Sequence, residues 1–343
     1  MKKVRLGRSE LMVTKTAMGC LPIQRCSDGD AIAILRRAYE GGINYFDTAN
    51  AYSDSEHKMG LALRDVRENI IISTKSQGRD AKTVLAHIEN SLRELQTDYI
   101  DLFQFHQVEE MPDFDDPEGM YAGALEAQRR GWIRHIGVTS HRIELACELV
   151  KTGKFETMQF PFSYLSGEQE RKLIELCRQT DTGYIAMKAL AGGMLNNSRA
   201  VHAFMKEQED VVPIYGVQTM GQINEWLSLA EEDPDLDDEL RAIITKDRRE
   251  LAGSFCRGCG YCAPCPEDIE IYNSARMNML LRRSPWQQYM TDEWYEKMHR
   301  IDNCRHCNEC ASRCPYGLDT PALLEYMLKD YDEFYREHKG LVK

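Results

Sequence analysis

Eight short apolar segments, each followed by an amphipathic segment, recur over roughly the first two thirds of the chain and constrain its fold more than any other feature. The apolar segments have the length and composition of strands, and several of the amphipathic segments end in glycine, as helices commonly do. The strand candidates are residues 15–20, 43–49, 69–75, 98–106, 134–140, 157–162, 183–189 and 211–217. Eight strands that alternate with helices predict a (β/α)8 TIM barrel.

An open, doubly wound sheet is the alternative architecture. It fits less well because no G-x-G-x-x-G turn follows the first strand candidate. Ahead of that strand, the segment RLGRSELMVT alternates around a Gly-Arg-Ser turn, which predicts a hairpin that closes the bottom of the barrel.

The alternation stops at the acidic run AEEDPDLDDEL, residues 230–240, which we interpret as a solvated connector. Beyond this run the pattern is helical and rich in cysteine. We therefore predict a barrel domain over residues 1–235 and a mainly helical domain over residues 236–343. A chain of 343 residues is long enough to bury both cores.

Charge and hydropathy exclude several classes of function. A formal net charge of −12 argues against a nucleic-acid partner, because phosphate binding needs an excess of Lys and Arg. The opening MKKVRLGRSELMVTKTAMG lacks the apolar core of a signal peptide, and no stretch is long and apolar enough to span a membrane. We expect a cytoplasmic protein, and nothing in the sequence indicates a particular oligomeric state. In that compartment, twelve cysteines should not be interpreted as six disulfides.

Eight of the twelve cysteines fall in two short runs, CRGCGYCAPCP at 256–266 and CRHCNECASRCP at 304–315. The second run has the C-x2-C-x2-C-x3-C-P spacing of bacterial ferredoxins, and the first is one residue shorter before its last cysteine. In two-cluster ferredoxins the fourth cysteine of each run binds the other cluster. By that rule one [4Fe-4S] cluster is bound by a first cysteine set, Cys256, Cys259, Cys262 and Cys314. The other is bound by a second cysteine set, Cys265, Cys304, Cys307 and Cys310.

Zinc is the alternative metal, since four-cysteine zinc sites also use C-x2-C pairs. Such sites usually have two separated pairs rather than three cysteines in steps of three followed by Cys-Pro, so the spacing favours clusters. Between the two runs, NSARMNMLLRR at 273–283 predicts a Met-rich helix that packs this domain. Its arginines would offset the negative charge of the clusters.

Polar side chains stand at the ends of five consecutive strand candidates of the barrel. They are Asp47, Lys75, His106, Ser140 and Gln159, with Tyr52 in the loop just past Asp47. Each alone has an ordinary explanation; an Asp after a strand is commonly a helix N-cap. Together they indicate an active site, because barrel active sites are assembled from residues at the carboxyl ends of several strands.

The chemistry of this set is that of a proton relay. A phenol has a pKa of about 10, and an adjacent ammonium group lowers that pKa by stabilising the phenolate. An aspartate can hold the lysine in place and keep it charged, while an imidazole orients or polarises a carbonyl oxygen. Such a relay would protonate the oxygen that becomes alkoxide-like when hydride reaches a carbonyl carbon.

Three segments, GINYFDTANAY, IISTK and DLFQFH, resemble the signatures of the aldo-keto reductase superfamily, and RLGRSELMVTKTAMG resembles its N-terminal hairpin and first strand. The resemblance covers roughly residues 4 to 230. It places Asp47, Tyr52, Lys75 and His106 on the catalytic tetrad of that family. It implies an NAD(P)-dependent oxidoreductase in which Tyr52 is the general acid, Lys75 and Asp47 tune it, and His106 orients the carbonyl of a small-molecule substrate.

The same resemblance implies a nucleotide site. Thr139 and Ser140 stand where the family often has Ser-Asn, and Gln159 matches its Gln; these residues would hold the nicotinamide carboxamide. The segment IAMKALAGG would run under the pyrophosphate, and YGVQTMGQINEW would face the adenosine ribose. Their candidate residues are Lys188, Gly192, Gly193, Gly216, Gln218, Gln222 and Glu225. NADP-binding relatives often have a cation near the ribose, and here there is none, so NAD and NADP both stay open with a slight preference for NAD.

The two parts together resemble a branch of the aldo-keto reductases with a C-terminal ferredoxin-like domain. That domain replaces the loop that elsewhere closes the barrel mouth, so substrate preference does not carry over. Three hypotheses for function follow. The first is a carbonyl reductase or alcohol dehydrogenase with structural clusters, and the second an electron-transfer protein that couples a ferredoxin-type partner to the barrel. The second would need a flavin to convert single electrons to hydride, and the sequence does not indicate a flavin site. The third, a redox sensor with an inactive barrel, is disfavoured by the intact tetrad.

Overall fold

A computed structural model describes residues 1–251 and 255–341 of the chain. The chain divides into two compact units, and we describe each by itself. The first unit comprises Met1–Ala189 and Ser198–Ala242, and the second comprises Leu190–Asn197 and Ile243–Lys343. The short segment Leu190–Asn197 thus follows the barrel strands in sequence but belongs to the second unit.

The first unit contains a closed barrel of eight parallel strands, which confirms the predicted fold class and excludes the open sheet. The strands are β3 (Ala17–Gly19), β4 (Tyr45–Asp47), β5 (Ile71–Ser76), β6 (Ile100–Phe105), β7 (Ile133–Thr139), β8 (Thr157–Pro161), β9 (Gly183–Met187) and β10 (Val211–Gly216). Each overlaps one of the eight predicted segments. They follow one another in chain order around the barrel, and β10 pairs with β3 to close it.

The predicted N-terminal hairpin is present as two antiparallel strands, β1 (Lys3–Arg5) and β2 (Met12–Thr14). Leu6 and Val13 of this region are buried in one apolar cluster with residues near the beginnings of several barrel strands, among them Tyr45 and Val212. The hairpin therefore closes the end of the barrel at which the strands begin. Gly7, with φ of 54°, allows this approach, since a Cβ there would collide with the backbone of Gly183.

Helices α1 to α7 connect successive barrel strands, and α8 follows the last strand, β10. They are α1 (Asp28–Glu40), α2 (Ser55–Leu63), α3 (Ala81–Leu95), α4 (Met120–Arg129), α5 (Ile143–Lys151), α6 (Glu168–Gln179), α7 (Ser198–Lys206) and α8 (Met220–Glu232). Side-chain caps begin several of them: Asp80 accepts from the Thr83 N–H of α3, and Thr219 accepts from the Gln222 N–H of α8.

The second unit is helical. Its helices are α9 (Asp238–Glu250, which begins in the first unit), α10 (Ile271–Ser274), α11 (Met277–Arg283), α12 (Asp292–His299), α13 (Glu309–Ser312) and α14 (Thr320–His338). Helix α14 buries Leu324, Met327 and Tyr331, spaced three and four residues apart along one face. No helix in the described ranges, 1–251 and 255–341, combines the length and apolarity that a membrane crossing needs.

Two local predictions need correction. The Met-rich segment 273–283 is not one helix: it is interrupted between α10 and α11, where Arg276 has φ of −136° and ψ of 16°. Met277 is fully buried, so the predicted packing role of this segment is correct even though its continuity is not. The acidic connector is also shorter than 230–240, since α8 extends to Glu232 and α9 begins at Asp238.

Candidate active site and cysteine sites

A buried ion pair forms the base of the candidate active site. Asp47 ends β4 and Lys75 lies on the neighbouring strand β5; Lys75 Nζ donates to Asp47 Oδ2 at 2.6 Å and also to the Thr48 carbonyl. The side chain of Lys75 is 1% exposed and that of Asp47 is 3% exposed. Burial lowers the pKa of Lys75, but the charge of Asp47, the neighbouring Tyr52 and the hydrogen bond to Asp47 together outweigh burial, so the pKa of Lys75 is raised. Lys75 is therefore an ammonium group.

Tyr52 and His106 meet beside this pair. Their rings stand edge to face with centroids 5.6 Å apart, and Lys75 Nζ lies 5.2 Å from the centroid of the Tyr52 ring. Burial raises the pKa of Tyr52, and Lys75 lowers it by a smaller amount. The lysine acts in the predicted direction, but burial outweighs it and the phenol stays protonated. The structure thus brings all four tetrad residues together.

His106 is a neutral imidazole in this site. Burial, assisted by the charges of Lys75 and Arg79, lowers the pKa of His106 to about 3. Its Nδ1 atom is buried and has no hydrogen-bond partner among the described residues. A neutral ring donates from one nitrogen only, so His106 can offer a hydrogen bond to a ligand oxygen without adding a second positive charge near Lys75.

This low pKa gives a prediction for stability. Between about pH 3 and pH 6.5 the unfolded chain binds a proton at His106 that the folded chain does not. The free energy of unfolding should therefore fall as the pH is lowered through this window, and His106→Gln should make that fall shallower. Urea unfolding at several pH values tests this. Burial also lowers the pKa of His141, so the free energy of unfolding of the variant should still depend on pH to some extent. An identical pH dependence in both proteins would contradict the prediction.

The residues predicted to hold the carboxamide are connected to the same site, but two of them have backbone partners. Thr139 Oγ1 accepts from the Gln107 N–H at 2.8 Å. Ser140 Oγ donates to the Val108 carbonyl at 3.1 Å and accepts from the Arg142 N–H. These hydroxyls are buried and shape the loops after β6 and β7.

Two polar residues that sequence reasoning missed complete the site. Ser73 Oγ donates to Asp47 Oδ1 at 2.6 Å, and Gln104 Nε2 bridges Asp47 Oδ1, at 3.2 Å, and Gln159 Oε1, at 2.8 Å. Both lie two residues before a tetrad member, in STK and QFH. Because alternate residues of a strand share a face, that spacing is the signal that would have found them.

The candidates for the adenosine end have partners within the first unit. Gln222 Oε1 accepts from the Gln218 N–H at 2.9 Å at the start of α8, and Glu225 accepts from Ser198 Oγ. Gly216 is the last residue of β10, and a Cβ there would lie 3.1 Å from the Pro22 side chain. Lys188 follows β9 with a left-handed backbone. Gln222 and Glu225 thus have structural roles whether or not they face a nucleotide.

Gly192 and Gly193 lie in the second unit and have positive φ, 71° and 91°. Arg276 Nη1 donates to the Gly192 carbonyl at 3.0 Å, and a Cβ on Gly192 would be 2.6 Å from that nitrogen. A Cβ on Gly193 would meet nothing within 4 Å. A side chain at position 192 would therefore displace the Arg276 guanidinium group, whereas Gly193 has open space beside it.

The cysteine runs surround two cavities of the second unit. One cavity is lined by Cys256, Cys259, Cys262 and Cys314. The other is lined by five cysteines: Cys262, Cys265, Cys304, Cys307 and Cys310. Each set expected from the ferredoxin rule thus faces one cavity, but Cys262 lines both cavities, so the lining alone does not assign Cys262 to one set.

The donor chemistry of these sets suits iron–sulfur clusters. The eight side chains are free thiols, and the Gly258 N–H donates to Cys256 Sγ at 3.4 Å, the type of bond that tunes cluster sulfurs. Cys256 and Cys262 are buried, whereas Cys307 is exposed. Within the described ranges no three His, Cys, Asp or Glu side chains gather tightly enough for one ion; each set of four faces a shared cavity instead.

Comparison with known proteins identifies both parts of the chain. Residues 16–247, more than half of the chain, match the model of the aldo/keto reductase family, and residues 255–319 match a 4Fe-4S dicluster domain.

Individual relatives of the chain are consistent with the match to the aldo/keto reductase family. An uncharacterized oxidoreductase of Bacillus subtilis, YqkF, is 26% identical over 291 residues, which cover 81% of this chain and 93% of YqkF. Aldo-keto reductase AFTS1 of Alternaria alternata is 30% identical over 243 residues, which cover 56% of this chain and 65% of AFTS1. In the solved structure of aldo-keto reductase AKR11C1 from Bacillus halodurans, 96% of that chain matches 72% of this one with 25% identity and a TM-score of 0.61. The chain is therefore an oxidoreductase that belongs to the aldo/keto reductase family and carries a 4Fe-4S dicluster domain.

Proposed function

We propose that this protein reduces a carbonyl compound, or oxidises the corresponding alcohol, by hydride transfer with NAD(P)H, and that Tyr52 is the general acid or base. One observation carries the proposal: a protonated phenol, a buried ammonium group and a neutral imidazole lie together beside the carboxyl ends of β4, β5 and β6. Barrel enzymes place their catalytic groups at these strand ends.

The residues present fit a nicotinamide nucleotide. His106 Nδ1 is a buried polar atom with no partner in the ranges 1–251 and 255–341, and Gln159 is held by Gln104 with its amide oxygen turned toward that residue. Thr139, Ser140 and Gln159 would hold the carboxamide, and Lys188, Gly192, Gly193, Gly216 and Gln218 are proposed for the phosphates and ribose. When bound, the nicotinamide supplies or accepts the hydride.

Each tetrad residue has one task in this mechanism. His106 donates a hydrogen bond to the carbonyl oxygen and so fixes its position. Tyr52 gives its phenolic proton to that oxygen as negative charge develops there, and in the reverse direction the phenolate removes the alcohol proton. Lys75 stabilises the phenolate, and Asp47 holds Lys75 charged and in place. Because burial raises the pKa of Tyr52, Lys75 is needed to limit the cost of forming the phenolate.

A labelling experiment tests the hydride step directly. The protein is incubated with a panel of aldehydes and ketones and with NADH or NADPH that carries deuterium at the transferred position. We expect alcohol with one deuterium on the former carbonyl carbon. Since segment 215–226 has no Lys or Arg, we expect NADH to give the lower KM. Absence of label in every product, with nucleotide bound, would contradict the proposal.

We also propose that the first and second cysteine sets each bind one [4Fe-4S] cluster. The exposure of Cys307 favours a second candidate function, in which the second set exchanges electrons with a ferredoxin-type partner and relays them to the barrel. Hydride carries two electrons and a cluster passes one, so this function requires a flavin or another two-electron converter. Anaerobically reconstituted Cys310→Ser separates the two functions: loss of turnover with a folded barrel supports electron relay, and full turnover supports structural clusters.

The difference in exposure predicts that the two sites lose iron at different rates. Chelator reaches the second cysteine set at Cys307, whereas Cys256 and Cys262 shield the first set. Iron release from the reconstituted protein should therefore have two phases of about equal amplitude, one per cluster. Cys307→Ser should remove or accelerate the fast phase only, and Cys256→Ser should affect the slow phase only. A single phase in the unchanged protein would contradict the assignment.

A further inference from the structure

The loop Leu190–Asn197 is attached to the cysteine-bearing unit by two arginines. Arg276 Nη1 donates to the Gly192 carbonyl and Arg283 Nη1 donates to the Met194 carbonyl, each at 3.0 Å. Resemblance to the aldo-keto reductases assigns this same loop to the nucleotide pyrophosphate. A segment expected to contact the nucleotide is therefore held by the unit that carries the cysteines.

Arg276 contacts the first cysteine run as well. Gly258 lies between Cys256 and Cys259, and a Cβ there would be 2.8 Å from Arg276 Nη1 and 2.9 Å from Cζ. The guanidinium group thus packs against both Gly192 and Gly258, and both glycines have positive φ. Because the Gly258 N–H also donates to Cys256 Sγ, one peptide group connects a cysteine sulfur to Arg276.

The hydrogen bonds of Arg276 leave its positive charge uncompensated. Nη1 donates to a carbonyl and Nη2 donates to Asn273 Oδ1 at 3.0 Å, and neither acceptor is charged. The Nε atom is buried without a partner among the described residues. Arg282 on α11 differs in this respect, since it forms a two-pronged ion pair with Asp330 at 2.7 and 2.8 Å. Arg276 is therefore a cation placed to respond to a change of charge at the first cysteine set, where it already acts on Cys256.

We propose that Arg276 couples the redox state of the first cysteine set to nucleotide binding at the loop Leu190–Asn197. The inference rests on the proposed function, both for the nucleotide and for a cluster at this set. One electron from an external one-electron donor makes the site one unit more negative and draws the guanidinium toward Gly258. Its bond to the Gly192 carbonyl weakens, and the loop is held less firmly for the pyrophosphate.

Linkage makes this coupling reciprocal. If reduction weakens nucleotide binding, then the nucleotide must make reduction harder by the same factor. Allosteric coupling of this kind is commonly fivefold or more, and we expect about tenfold here. For a one-electron couple, a tenfold factor corresponds to a shift of about 59 mV in midpoint potential, toward more negative values when nucleotide is bound.

The test uses the full chain, reconstituted anaerobically, with ADP-ribose as the probe. ADP-ribose carries the pyrophosphate but no nicotinamide, so it cannot exchange hydride. Its Kd is measured by calorimetry with oxidised and with dithionite-reduced protein, and midpoint potentials are measured by EPR-monitored titration with and without it. We expect tighter binding to the oxidised protein and a matching negative shift at one of the two clusters.

Substitutions assign the coupling to Arg276. Arg276→Met should bring the ratio of the two Kd values to about one and remove the shift, while Arg282→Met, the matched control, should leave both unchanged. Arg276→Lys keeps the charge but replaces the forked guanidinium group with one ammonium group. It should therefore retain the midpoint potential measured without ADP-ribose and lose most of the coupling. This variant also replaces Arg276→Met as the test if Arg276→Met does not fold. Binding without any redox dependence, or full coupling in Arg276→Met, would overturn the inference while leaving hydride transfer intact. Failure of ADP-ribose to bind, with no label transferred, would instead overturn both proposals.

Discussion

Tyr52→Phe is expected to lower kcat for carbonyl reduction by about 10²–10⁴-fold, the range that a positioned general acid contributes. The substitution removes only the phenolic O–H. The ring remains to contact His106 and Lys75, so the pocket and the ion pair beneath it should persist. Nucleotide Kd should therefore stay within about twofold of the unchanged protein, because the lost group acts on the reacting oxygen and not on the nucleotide.

Tyr121→Phe is the matched control for this substitution. Tyr121 lies in the same barrel unit, and its hydroxyl donates to the Lys154 carbonyl at 3.1 Å, within an aromatic cluster that includes Phe155. Loss of that hydroxyl should leave kcat nearly unchanged. Steady-state rates for both variants, with Kd from nucleotide titration, make the comparison. A Tyr52→Phe enzyme that keeps most of its kcat would remove the tyrosine from the mechanism, and the neutral imidazole of His106 would not replace it as an acid.

The fold was predictable because its signal is repeated and local. Even β3, three residues long, lies within a predicted segment, since the alternation of eight strands and helices specifies the barrel more firmly than any one strand does. The break in the Met-rich segment was not predictable in this way. Arg276 departs from helical geometry where it meets Gly192 and Gly258, which are distant in sequence, and tertiary contacts of this kind override local propensity.

The candidate site shows a similar division. Asp47, Lys75 and His106 were identifiable because a barrel gathers strand ends at one face. The direction in which the Tyr52 pKa shifts could not be predicted from the sequence, because it depends on how completely the folded chain removes the phenol from water. The attachment of the loop at Gly192 to Arg276 could not be predicted from the sequence either, because this contact joins residues 84 positions apart.

Lys75→Met is expected to lower the free energy of unfolding by about 3–5 kcal/mol, the usual cost of leaving one member of a buried ion pair without its partner. Asp47 would keep the bonds from Ser73 and Gln104 but would be a buried carboxylate with no counter-charge. Carbonyl reduction should also be abolished, because nothing would then stabilise the Tyr52 phenolate. Urea unfolding and steady-state rates measure the two effects separately.

The double variant Lys75→Met with Asp47→Asn separates stability from chemistry. Asn at position 47 is neutral and its carbonyl oxygen still accepts from Ser73 and Gln104, so the uncompensated charge is gone while the hydrogen bonds remain. Most of the lost stability should return, since a buried ion pair replaced by uncharged groups is often nearly neutral. Activity should not return, because the ammonium group is still missing. A double variant as unstable as Lys75→Met would show that Lys75 stabilises the barrel by packing and not by pairing with Asp47, and recovered activity would show that the relay does not need the ammonium group.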